Sequence, residues 1–181
     1  MKAEELTENV DILDGVTATA DANILTVKGE KGEVQRHFPS RKVLVTTKDG
    51  VVTVCAKKAT AREKKLLYTF RAHIRNMLRG VKEGHMYKLK ICSGHFPMNA
   101  SVKGNTFEVK NFIGEAVPRV MPILEGVDVK VEGDIITVTG INKELVGQVA
   151  GRIENLTKRP GFDMRIFQDG IYLTEKDGKT L

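Results

Sequence analysis

Tryptophan is missing from the 181 residues, cysteine occurs twice, proline five times, and aromatics make up only 6%. The two cysteines, Cys55 and Cys92, fall in strand-like runs, VVTVCA and KLKICSG. That usage excludes a disulfide scaffold and is the pattern of a reduced intracellular protein. No stretch approaches the roughly 18 consecutive apolar residues of a membrane-spanning helix, and the opening MKAEELTENVDILDG has no apolar signal core. The expected location is therefore cytosolic or nuclear, with no membrane partner. Hydrophobic residues at 41% and charged residues at 29% also exclude a disordered tail.

What is present is positive charge, unevenly placed. The net charge is +6. Residues 1–82 carry 16 Lys+Arg against 10 Asp+Glu, and the remainder carries 13 of each. Residues 57–82 alone hold nine cations and one acid, Glu63. Such a concentration draws phosphate polymers, although a solvated helix face or an acidic protein partner accounts for it equally well.

Alternation predicts strands at VTATA (16–20), ILTVKG (24–29), EVQRHF (33–38), KVLVTT (42–47) and VVTVCA (51–56), punctuated by Gly29, Gly32, Pro39 and Asp49-Gly50. They read as an antiparallel meander. From Arg62 the period changes: Leu66, Leu67, Phe70, Ile74, Met77 and Leu78 share one arc of a helix that Gly80 or Gly84 ends. Lys64, Arg71, Arg75, Arg79 and Lys82 collect on a neighbouring arc as a basic stripe.

The plan then repeats. Residues 107–115 lie over 25–33, residues 132–138 over 48–54, and Leu145, Val146, Val149, Ile153 and Leu156 over Leu66, Leu67, Phe70, Ile74 and Met77. The expected fold is thus α+β: two tandem duplicated domains, 1–84 and 85–181, each a small antiparallel sheet packed with one helix. KLKICSG (88–94) adds a strand to either sheet. Asn142 is the expected N-cap of the second helix, whose N-terminus offers N–H groups to a phosphate. Gly147 and Gly151 are placed on its outward face, with Lys143 and Lys158 nearly in line and Gln148 and Arg152 flanking. Glycines there admit a close backbone, either a sugar-phosphate chain or the sheet of the sister unit. Beyond Lys158-Arg159-Pro160-Gly161, residues 165–173 read as an extended arm. Its arginine and aromatics either grip RNA or, through Phe167 and Tyr172, anchor the tail to the protein.

Catalytic readings fare poorly. His85, Cys92 and His95 lack the second ligand pair of a zinc site, and no third residue orients a Cys92/His95 nucleophile pair. His95-Phe-Pro reads as a fixed turn. Gly29-Glu-Lys-Gly32 is a hairpin turn without the Lys-Ser/Thr ending of a P-loop. No enzyme activity, catalytic residue, metal site or cofactor is expected.

The runs Gly140-Ile-Asn-Lys-Glu-Leu-Val-Gly-Gln-Val-Ala-Gly-Arg-Ile153, Gly94-His-Phe-Pro-Met-Asn99, Asn111-Phe-Ile-Gly-Glu115 and Arg165-Ile-Phe-Gln-Asp-Gly-Ile-Tyr172 resemble the family of ribosomal protein six of the large subunit, protein nine in eukaryotes. The Arg-x-Phe-x-Asp-Gly-Ile-Tyr ending points to its archaeal and eukaryotic branch. The resemblance covers about Val16 to Lys176. It implies a structural protein of the cytoplasmic large ribosomal subunit, assembled in the nucleolus if the source is eukaryotic. Its rRNA contact would be made mostly by the second domain, near the sarcin-ricin region, with neighbouring ribosomal proteins as partners and translational GTPases nearby. Carried over residue by residue, the implied rRNA contacts are Lys143, Gly147, Gln148, Gly151, Arg152, Lys158, Arg159, Arg165, Phe167 and Lys176, with the first-helix stripe as a secondary surface. The chain departs from the pattern at Phe162, where a lysine is usual. In consequence one phosphate is either left without its cation or held by Lys158 or Arg159 instead. The competing reading is a protein-interaction module whose basic helix 62–82 docks an acidic partner.

Overall fold

The computed structural model describes residues 3–48, 50–163 and 165–181. Asp49, placed above in a turn, lies outside them. The chain divides into two compact units, Met1–Gly84 and His85–Leu181.

In the first unit β1 (Ala3–Asp11), β5 (Val43–Lys48) and β6 (Val51–Ala59) form one antiparallel sheet in the order β1-β6-β5. A second sheet holds β2 (Thr17–Asp21), β3 (Ile24–Gly29) and β4 (Gly32–His37) in the order β2-β3-β4. The single meander is thus corrected to two sheets. Phe38-Pro39 ends β4, and the chain leaves to build β5 and β6 against β1 instead. Gly29 pairs with Gly32 across a two-residue turn, as the spacing implied. A Cβ on Gly29 would lie 2.8 Å from the Val81 carbonyl, so only glycine lets this turn close on the helix end.

The helix α1 (Ala61–Lys82) starts where the Glu63 carboxylate accepts the Thr60 N–H at 2.9 Å and the Thr60 hydroxyl. The first of these bonds occupies a backbone donor that a helix start leaves open. Gly84, in the left-handed region at φ 79°, ends the helix, while Gly80 is buried within it. Leu67, Phe70, Ile74, Met77 and Leu78 are buried as the periodicity required, with Phe38 and Phe70 rings 4.8 Å apart.

The second unit repeats the design. β8 (Asn99–Lys103), β9 (Thr106–Lys110) and β10 (Arg119–Pro122) form the order β10-β9-β8. A larger sheet combines β7 (His85–Cys92), β11 (Val127–Glu132), β12 (Ile135–Gly140), β13 (Gly170–Lys176) and β14 (Lys179–Thr180) as β11-β12-β7-β13-β14. The helix α2 (Lys143–Leu156) packs on it through Val146, Val149, Ala150 and Ile153. Equivalent positions are buried alike: Leu25 with Phe107, Val27 with Val109, Val52 with Ile136, and Val54 with Val138.

KLKICSG therefore belongs to the second unit, where β7 is the middle strand of five. The expected arm is also corrected. From Gly170 onward it is β13, hydrogen-bonded along β7.

Candidate nucleic-acid interface

Beside the core of the second unit, α2 runs antiparallel to β13, and three bonds fix the register. Lys143 Nζ reaches Asp177 Oδ2 at 2.9 Å, Glu154 Oε1 accepts the Leu173 N–H at 3.3 Å, and Thr157 Oγ1 accepts the Ile171 N–H at 2.9 Å. Asn142 caps the helix by accepting the Glu144 N–H at 3.0 Å, so that donor is already used inside the protein.

Lys143 is tied into a buried cluster. Asp177 also binds Nδ1 of the fully buried His85 at 2.9 Å and accepts the Met86 N–H at 3.2 Å. Burial pushes the Asp177 carboxyl up, but the bonds from Lys143 and His85 outweigh it and hold the group below the usual carboxylate range.

The glycines are not equivalent. A Cβ on Gly147 would meet the Tyr87 ring at 3.5 Å, whereas one on Gly151 meets nothing within 4 Å. Gly147 thus flanks the unit's own sheet instead of facing outward, because β7 continues beneath that side of the helix. Gln148 and Arg152 are exposed.

At the other end of α2 the loop 157–169 brings Lys158 and Arg159 to the surface, the Arg159 guanidinium lying 4.3 Å over the Phe162 ring. Arg165 is 89% exposed and bonds Asp163 at 2.9 Å. Phe167 is half-buried, 5.1 Å from the His95 ring and 5.0 Å from Phe162, so it anchors the tail. Lys176 is exposed on β13. In the first unit Lys64 and Arg75 are exposed, Lys82 is half-buried, and Arg79 pairs with Glu83 at 3.0 Å. Arg71 is drawn out of the stripe by Glu8 of β1 at 3.1 Å.

Sequence reasoning missed the residues that hold this loop in place. Asp169 Oδ1 accepts N–H bonds from Gly94 at 2.7 Å and His95 at 2.9 Å, and its Oδ2 lies 2.6 Å from His95 Nδ1. Burial opposes ionisation of Asp169, yet the three bonds from His95 and Gly94 hold it down at about 2. Arg119 grips Glu115 through two 2.7 Å bonds, donates to the Leu156 carbonyl at 2.7 Å, and lies 4.4 Å over Phe112. Asn111 Nδ2 donates to the Pro97 carbonyl at 3.0 Å. The signal was there: these residues lie in or beside the motifs quoted above, and the fixed turn at His95-Phe-Pro is one of them.

Charge in this unit is sorted by edge. Glu125, Asp128, Glu132 and Asp134 are exposed along the β11 edge with a single lysine, Lys130, among them, while Lys176 and Lys179 lie at the β13-β14 edge. Glu108, Glu115, Asp163, Asp169, Glu175 and Asp177 are engaged in internal pairs, which also occupy Lys103, Arg119, Arg165, Lys88 and Lys143. With 13 Lys+Arg against 12 Asp+Glu, the unit still leaves exposed cations at the end of α2 and after it for a polyanion. Among the described residues, no group of three His, Cys, Asp or Glu could hold a metal ion, and no helix is long and apolar enough to cross a membrane.

A tandem α+β repeat with a cationic, glycine-interrupted helix flank has the build of a charged contact module. The family model for Ribosomal protein L6 matches residues 13–84 and again 96–170, one segment in each unit. The chain is 42% identical over 173 residues to the large ribosomal subunit protein uL6 of Methanosarcina mazei, covering 96% of this chain and 98% of that one. It is 43% identical over 178 residues to that of Methanococcus vannielii, covering 96% of each. This chain belongs to the ribosomal protein L6 family, whose members are ribosomal proteins and not enzymes. All of β1 and all of β7 fall outside the matched segments.

Proposed function

We propose that the chain is a structural constituent of the large ribosomal subunit in the cytoplasm, holding rRNA through its second unit near the sarcin-ricin region. Translational GTPases would act close by, and other ribosomal proteins would be its neighbours. The observation that carries the reading is the set of exposed cations, Arg152, Lys158 and Arg159, gathered at the end of α2 in a unit whose net charge is only +1. Gln148, Gly151, Arg152, Lys158, Arg159, Arg165 and Lys176 are its contact set, with Phe167 behind them. Lys143 and Gly147 support the helix flank from within. The basic stripe of α1, reduced to Lys64, Arg75, Arg79 and Lys82, is a secondary surface.

Phosphate and shape contacts dominate, because duplex RNA hides its base edges in a deep major groove. Affinity falls with log salt by about 0.9 per phosphate neutralised. In sucrose gradients the tagged chain sediments with large subunits and polysomes. Replacing Arg152, Lys158 and Arg159 together by Glu moves it to the top. Retention of that variant in the heavy fractions, or its release only when the α1 stripe is reversed, would overturn the reading.

A further inference from the structure

The loop after α2 does more than display cations. Between it, the start of β13 and Phe112-Ile113 lies a cavity of about 450 Å³ within the second unit. Its walls carry four aromatic rings, Phe112, Phe162, Phe167 and Tyr172, and its rim carries Lys158 and Arg159. The volume lies in the roughly 300–1,000 Å³ range of small-molecule sites.

Resting on the rRNA-binding reading above, we propose that this cavity captures one unstacked nucleobase of the bound RNA. Three observations select that occupant. Ring faces accept any base by stacking, the usual way proteins hold single-stranded nucleotides. The rim cations match the phosphate joined to such a base, whereas an apolar protein side chain would leave them unused. Of the two carboxylates on the lining, Asp169 has both oxygens bonded to Gly94 and His95, and Glu154 Oε1 accepts the Leu173 N–H.

The site is also built in advance. Ile113, a β-branched residue, stands at φ 48° and ψ 40°, and Asn111 at φ 57°. Backbone of this kind persists only where its surroundings fix it. Here Asn111 is tied to Pro97, and Arg119 covers Phe112. A wall held before binding leaves little ordering to be supplied by the ligand.

The test irradiates purified large subunits containing the full chain at short ultraviolet wavelength and maps nucleotide adducts by mass spectrometry. In parallel, Phe162→Ala and Phe162→Tyr full-length variants are titrated with transcripts tiling the large-subunit rRNA. Adducts are expected on Phe162, Phe167 or Tyr172. Loss of one base–aromatic stack should weaken binding about tenfold in Phe162→Ala, while Phe162→Tyr retains affinity. Phe162 is 37% exposed, so both variants fold, which circular dichroism verifies. Adducts confined to Arg152 or Lys176, with Phe162→Ala binding like the parent, would refute base capture and leave rRNA binding by this unit standing. Crosslinks from the rings to a neighbouring protein's peptide would refute it too. Absence of rRNA binding by the parent chain would instead remove the underlying reading.

Discussion

Lys143 and Asp177 meet at 2.9 Å, and this one contact joins the first residue of α2 to the turn that follows β13. Asp177 stands in the left-handed region at φ 50° and holds the buried His85 as well. Removing one member of a buried, hydrogen-bonded group leaves the others without compensation. Asp177→Ala should therefore lower stability by about 2–3 kcal/mol, read as a shift of the urea midpoint. Lys143→Met, which keeps the aliphatic stem, should cost less. A larger drop in rRNA affinity than in stability for Lys143→Met would show that the lysine also touches phosphate.

Gly151 and Gly147 separate helix propensity from surface access. With open space around it, Gly151→Ala should raise the stability of the free protein by up to about 1 kcal/mol. Gly151→Leu should fold normally and weaken rRNA binding. Gly147→Leu should lower the melting temperature, because its side chain must displace the Tyr87 ring. Thermal melts and filter binding on the same samples distinguish the two.

Truncation tests the role of β7. It lies between β12 and β13 in the larger sheet, so a fragment beginning at residue 94 lacks the strand to which both neighbours bond. That fragment should show no cooperative unfolding transition. A fragment beginning at residue 85 should retain one.

Acid should act through two carboxylates. The Thr60 hydroxyl, followed by the Thr60 N–H, holds Glu63 at about 2, against an ordinary 4.5. Asp169, whose burial is outweighed by its bonds from His95 and Gly94, is also held at about 2, against an ordinary 3.8. Depressed values mean that the unfolded chain takes up protons first as pH falls. The stabilisation is complete above the ordinary values and is lost as pH drops from about 4.5 toward 2. Urea midpoints should fall through that window. Asp169→Asn should start lower and lose less across it.

The strands that alternate and the two helices were legible because each buries one face, so apolar residues recur at the period of the element. β1 was not legible. Its AEELTENVD has only Leu6 and Val10 to mark a buried side, and Glu8 serves Arg71 instead of the core. The duplication held the missing information, since Val54 pairs with Glu8 as Val138 pairs with Tyr87. β13 was misread because Gly170 and Tyr172 look like turn and contact residues until β7 is seen to lack a neighbour on that side. At the site, exposure of Arg152, Lys158 and Arg159 followed from their charge. The pairings of Lys143 and Arg71 did not, because each depends on an acid remote in sequence that only the tertiary fold brings near.

Strand order also sets a timetable. The first unit has every strand of both its sheets in hand before α1 is made, because β1 precedes β6. The second must wait: one whole side of β7 stays unpaired until β13 is translated, after α2 and the loop 157–169. Domains tend to fold as units during synthesis, N-terminal first. A nascent chain stalled before Gly170 would thus carry a finished first unit and an open-edged second one. The bonds that tie the end of α2 to Ile171 and Leu173 therefore form last, once that strand has been translated.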